Sequence, residues 1–219
     1  MERALLIAEL ARRVAAVRRP HPVRVAVDGV DGAGKTRLAD ELVQPLESLG
    51  RPVIRASVDG FHRPRAERYR RGRASPEGYY RDSFDLETLR AALLDPLGPA
   101  GDRTFRRAAF DHREDRPVAL PPEEAPADAV LVFDGVFLQR PELAGCWDLT
   151  VFLDVPFAIS VARMAARDGG DSDPAAPGNR RYVEGQRLYL DACRPREAAH
   201  LAIDNADLAR PRWIGSAQA

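Results

Sequence analysis

Val23-Arg24-Val25-Ala26-Val27-Asp28-Gly29-Val30-Asp31-Gly32-Ala33-Gly34-Lys35-Thr36 decides the reading of this chain. Its first five residues form a short, β-branched run of the kind that fills a buried strand. Its last eight fit G-x-x-x-x-G-K-[ST] at every fixed position. Leu38, Leu42, Leu46 and Leu49 then recur at helical spacing, so the motif lies between a strand and a helix, where its chemistry needs it. In such a loop Gly29, Gly32 and Gly34 let the backbone N–H groups, those of Asp31 and Ala33 among them, wrap phosphates, and the helix N-terminus adds its positive dipole end. Lys35 then reaches the β- and γ-phosphates of ATP and Thr36 ligates Mg²⁺. The bland alternative is a glycine-rich turn that binds nothing. Lys35 is the only lysine in the chain; every other basic residue is arginine. A chain that uses arginine for generic positive charge keeps an ammonium where a compact point charge on a flexible stem is needed.

Working outward, the spacing of Leu6, Leu10, Val14 and Val17 predicts an amphipathic helix within residues 1–20, ended by Pro20 and Pro22. Pro52 to Val58 reads as a second strand and residues 86–94 as a helix. The polar stretch 59–82 and the weakly patterned stretch 103–120, read as a strand pair, are excursions over a site. Ala129 to Phe133, ending in Asp134, and Leu149 to Leu153, ending in Asp154, read as buried parallel strands, and Leu201 to Ile203 as a short last one. Helices are expected after the fourth strand and over 181–193. The Gly-, Pro- and Asp-rich segment between them, within 163–181, reads as a flexible lid carrying Arg163, Arg167, Arg180 and Arg181. Strands alternating with helices predict one α/β domain over 1–219, a three-layer α/β/α P-loop NTPase fold with a five-stranded parallel sheet and helices on both faces.

The chain has 219 residues, 45% hydrophobic and 30% charged, which excludes a disordered or disulfide-stapled scaffold. Lys plus Arg and Asp plus Glu both number 33, so no net field draws the molecule to nucleic acid. No apolar run approaches the ~18 residues of a membrane span. Cys146 and Cys193 suit neither a disulfide framework nor a zinc site, and Glu2, Arg3 and Glu9 interrupt any leader core. The expectation is a cytoplasmic protein acting on a small molecule, with no nucleic-acid or membrane partner and with homo-oligomerisation left open.

A phosphate loop needs a second, metal-directed carboxylate from a neighbouring strand end; Asp134 fits, with Asp154 as its rival. Asp59 ends the second strand, at the sheet edge where open α/β folds bind ligands, and there it can orient and deprotonate an acceptor hydroxyl. Arg163 and Arg167 are suited to spreading charge from a transferring phosphoryl group; surface solvation is their bland alternative. Phe61, His62, Tyr79, Tyr80, Phe110, Asp111 and His112 form the candidate acceptor-binding set, with ordinary packing the competing reading for the two tyrosines.

These motifs together resemble the uridine kinase family of P-loop kinases over residues 22–205. The resemblance rests on the phosphate loop, Asp59-Gly60-Phe61, Tyr80 to Asp85, Phe133-Asp134-Gly135, and Arg163 to Asp168. It implies ATP-dependent phosphorylation of a nucleoside 5′-hydroxyl, uridine or cytidine, with the carboxylate at Asp59 as base, that at Asp134 serving the metal, and the arginines at 163 and 167 holding phosphates. His62 and Phe110 stand where the family usually has tyrosine. The alternatives are a kinase of a pantothenate- or sugar-like alcohol, and an ATP-binding regulatory switch.

Overall fold

A computed structural model describes residues 1–215. Helix α1 (Arg3–Ala16) leads into strand β1 (Val23–Gly29), and the glycine-rich loop then enters α2 (Lys35–Glu41) and α3 (Val43–Ser48). Strand β2 (Val53–Ser57) runs into a tight turn at Val58–Phe61, followed by the short helices α4 (Arg65–Arg68), α5 (Pro76–Asp82) and α6 (Leu86–Leu89). The last of these widens into a π turn over Arg90–Leu94, so the helix expected at 86–94 is present but not uniform. Asp85 caps it, its carboxylate accepting from Thr88 N.

The excursion after it holds two small ladders rather than one strand pair: β3 (Thr104–Phe105) with β6 (Glu123–Glu124), and β4 (Phe110–Asp111) with β5 (Arg116–Pro117). The chain then returns through β7 (Val130–Asp134), β8 (Leu149–Asp154), α7 (Phe157–Asp168), α8 (Arg180–Cys193), α9 (Pro195–Ala198), β9 (Leu201–Asp204) and β10 (Arg212–Trp213).

The sheet order is β10-β9-β8-β1-β7-β2. Five strands are parallel, as the alternation predicts; the sixth, β10, adds antiparallel to β9 at the edge. It is only two residues long, too short to stand out from its polar surroundings in the sequence. The central strands are buried on both faces, and their side chains alternate between two cores. Val25, Val27, Val130 and Val132 face Leu6, Leu10, Leu38 and Leu46 of the first three helices and Leu42 at the α2–α3 junction, whereas Ala26, Leu131 and Phe133 face Phe61, Leu89, Leu93 and Phe137. Each large apolar side chain so withdrawn contributes about 1.5–3 kcal/mol. Leu49, fourth in the helical series after the loop, lies outside this core and is exposed.

Candidate functional site

The carboxyl ends of β1, β7 and β2 lie level, Asp134 standing in register with Val27 on one side and Ser57 on the other. The glycine-rich loop therefore opens beside both strand-end carboxylates, Asp134 and, two residues beyond Ser57, Asp59. Its path depends on glycine at Gly32, where φ is +73° and an added Cβ would lie 2.2 Å from the Ser160 carbonyl oxygen.

Thr36 and Asp134 meet, the hydroxyl donating to Asp134 Oδ2 at 2.6 Å. Asp134 is nearly fully buried, and its second oxygen accepts from Arg55 Nη2 at 2.9 Å. Two oxygen donors at the head of the loop suit a hard divalent cation such as Mg²⁺. Asp154, the rival carboxylate, pairs instead with Arg196 at 3.0 Å. Lys35 folds back so that Nζ donates to the Val30 carbonyl at 2.7 Å. Gly29 to Thr36 form one cradle, tied down from outside by Asn205, whose Nδ2 donates to the Ala33 carbonyl at 2.7 Å.

Asp31 joins the cradle to two helices. Its carboxylate accepts from Tyr79 Oη of α5 at 2.6 Å and from Gln186 Nε2 of α8 at 3.0 Å, and its backbone N–H donates back to Gln186 Oε1 at 2.8 Å. Burial, reinforced by the Asp31 charge, pushes the Tyr79 hydroxyl well above the usual tyrosine range. One residue before the loop, Asp28 is fully buried and accepts from Gly29 N, Tyr189 Oη and Gln139 Nε2. Burial raises its pKa while those three donors pull against the rise.

Among the described residues no donor bonds the Asp59 carboxylate, and its charge acts on His62, Tyr79 and Arg167. Gly60 brings the excursion against it: its carbonyl accepts from Ala109 N at 2.8 Å, and an added Cβ would lie 2.7 Å from Ala108 Cβ. That docking sets His112 on His62, ring centroids 4.8 Å apart, and the Phe84 ring centroid lies 4.6 Å from that of His62. Burial lowers the His62 pKa, against a bond from its ring nitrogen to the Asp59 carbonyl.

The expected acceptor set is thus only partly assembled. His62, His112 and Tyr79 gather around Asp59 and Asp31. Phe61 sits in the core 6.4 Å from Phe133, and Tyr80 turns its hydroxyl to Cys193 under the Arg140 guanidinium. Phe110 is buried, and Asp111 caps its own turn by accepting from Arg113 N and Glu114 N. These four are held by packing or turn closure, which for Tyr80 is the competing reading. Of the arginines, Arg163 spends its guanidinium on the carbonyls of Asn205 and Ala206, at 3.0 and 2.7 Å, bracing the loop from behind. Arg167 is exposed, pairs with Asp168 at 2.7 Å and feels the charges of Asp31 and Asp59. Arg181 is buried between the rings of Tyr69 and Tyr79.

Sequence reasoning does not find Arg55, Asp28, Gln139, Gln186, Tyr189 or Asn205. Only Asp28 leaves a signal, as a carboxylate directly ahead of the glycine-rich loop at the end of a β-branched run.

No family model matches the chain. The uridine kinase of Ligilactobacillus salivarius is 23% identical over 147 residues, 67% of each chain. The thymidylate kinase of Xanthomonas campestris is 31% identical over 157 residues, 68% of this chain and 63% of its own. Among solved structures, a possible uridine kinase from Bacillus stearothermophilus superposes with a TM-score of 0.73 at 25% identity, covering 92% of this chain and 99% of that one. A candidate fructose transport system kinase from Silicibacter superposes with a TM-score of 0.69 at 27% identity, covering 88% and 96%. The relatives agree on phosphoryl transfer and differ in what receives the group. With a phosphate loop whose threonine meets a strand-end carboxylate, and with these likenesses, the chain is a uridine-kinase-like P-loop kinase, a phosphotransferase.

Proposed function

We propose that the protein transfers the γ-phosphoryl group of ATP to a hydroxyl of a small molecule, a uridine- or cytidine-like nucleoside 5′-hydroxyl first. The observation that carries this reading is the Thr36–Asp134 hydrogen bond one strand away from the carboxylate of Asp59, which no described donor engages. The cradle from Gly29 to Thr36 holds the phosphates, Lys35 leaving the Val30 carbonyl for their oxygens. Thr36 and Asp134 hold Mg²⁺, which offsets charge on the phosphates. Asp59 accepts the hydroxyl proton as that oxygen attacks γ-phosphorus in line and ADP departs. Lys35 and Arg167 stabilise the spreading charge, and Arg163 keeps the loop in place.

A second reading, a sugar- or pantothenate-like acceptor, draws on the stacked His62–His112 pair, which narrows the acceptor side and puts the His62 imidazole where the resembled family usually has tyrosine. The test is ADP release from Mg-ATP against uridine, cytidine, other nucleosides, pantothenate and simple sugars, each set against a blank without acceptor. Stimulation by a pyrimidine nucleoside supports the first reading and stimulation by another alcohol the second. Release independent of every acceptor overturns both and favours an ATP-binding switch. With the acceptor in hand, Lys35→Ala abolishes turnover, and Asp59→Asn retains ATP binding while kcat falls at least ~100-fold, the scale of a lost general base. Near-normal turnover of Asp59→Asn would remove Asp59 from the chemistry.

A further inference from the structure

Arg55 projects from β2 beside β7 and places its guanidinium on the strand-end carboxylate: Nη2 donates to Asp134 Oδ1 at 2.9 Å while Thr36 holds Oδ2 at 2.6 Å. Its Nε donates to Asp40 Oδ1 at 2.9 Å, and its Nη1 to the carbonyls of Ala56 and Val132 at 2.8 and 3.0 Å. The two ion pairs are unequal. The Asp40 side chain is 63% exposed, so water screens that pair, whereas Asp134 is 3% exposed and feels the guanidinium at far lower local dielectric. Arginine keeps its charge at every physiological pH, so this cation is a fixed part of the site. A carboxylate beside a phosphate cradle repels phosphate and attracts a divalent cation; a permanent positive charge 2.9 Å away weakens both effects.

We propose that Arg55 is a positioning residue that sets the Mg²⁺ dependence of nucleotide binding. It fixes Asp134 with Oδ2 turned toward Thr36, offsets its charge so that nucleotide binds without metal, and lowers the affinity of the nucleotide-bound site for Mg²⁺. The proposal rests on the reading of Thr36 and Asp134 as the metal-side pair.

The experiment measures binding of a fluorescent ADP analogue, in EDTA and over a Mg²⁺ titration, to the wild type and to Arg55→Met, Arg55→Lys and Asp40→Asn. In Arg55→Met, metal-free affinity falls by about tenfold while the Mg²⁺ concentration giving half-maximal strengthening also falls by about tenfold, the scale of a half-buried charge pair. Arg55→Lys keeps the charge and holds the wild-type Mg²⁺ midpoint, and Asp40→Asn, which loses only the screened pair, leaves both quantities within about twofold. A structural defect would weaken binding with and without metal together and leave the midpoint in place. That outcome in Arg55→Met, a full shift in Arg55→Lys, or the same shift in Asp40→Asn overturns the proposal. Wild-type nucleotide binding that does not respond to Mg²⁺ overturns the metal-side reading of Thr36 and Asp134 itself, independently of Arg55.

Discussion

His62 and His112 come from segments fifty residues apart and stack because the chain between them returns over the turn after β2. Burial is the main reason the His62 pKa lies below the ordinary histidine value, and the neighbouring His112 ring lowers it further. His112→Ala therefore moves the His62 titration upward, toward about 6.5, in an NMR pH series of imidazole carbon-bound protons. An unchanged midpoint would mean that the two rings do not interact, and a lower one that His112 favours the charged form of His62. Single residues were also where the sequence was least legible. The motif residues announce themselves because their types and spacing are dictated by phosphate chemistry. Arg55 carries no such mark: one arginine among many, its role follows from which strand lies beside β7, and strand order is a long-range property.

At the scale of elements, α8 is fastened to the phosphate loop at two points on one face: Gln186 holds Asp31, and three residues later Tyr189 holds Asp28. The Tyr189 hydroxyl also accepts from Gln139 N at 3.0 Å, so it serves two partners. Tyr189→Phe leaves Gln139 N without its acceptor, takes one of three donors from Asp28, and costs about 1–3 kcal/mol of stability at neutral pH. The sign of its pH dependence follows from Asp28. A folded pKa above the unfolded value means that ionised Asp28 costs stability above that folded pKa, a cost absent below the ordinary carboxylate range. Tyr189 lessens the cost by bonding the ionised form. The gap between wild type and Tyr189→Phe in denaturant melts is therefore largest at neutral pH and narrows on acidification; a gap that widens would contradict this account. Helix α8 itself was legible from its pattern, with its start one residue early, but the two side chains that make it a brace read as ordinary polar and aromatic positions.

Over the whole molecule, the parallel arrangement was readable because β1, β7 and β8 are short, largely apolar runs closed by Asp or Gly, with helical spacing following β1 and β8. What escaped were pieces without periodicity: the two-residue β10, and an excursion whose ladders depend on Gly60 allowing close approach rather than on any pattern of their own. One readable feature also reaches furthest. Because Lys35 is the only lysine, an endoprotease that cuts after lysine has one target bond in the entire chain, that between Lys35 and Thr36. That bond lies at the start of α2, its lysine 9% exposed and tethered to the Val30 carbonyl. Cutting requires the cradle to open, so when cleavage is slow relative to reclosing the rate tracks the open population. Mg-ATP should slow the appearance of the two fragments in proportion to its occupancy, and a rate unaffected by saturating nucleotide would place the ligand elsewhere. The chain thus carries a single-site clock, and each molecule is scored by whether it remains one piece.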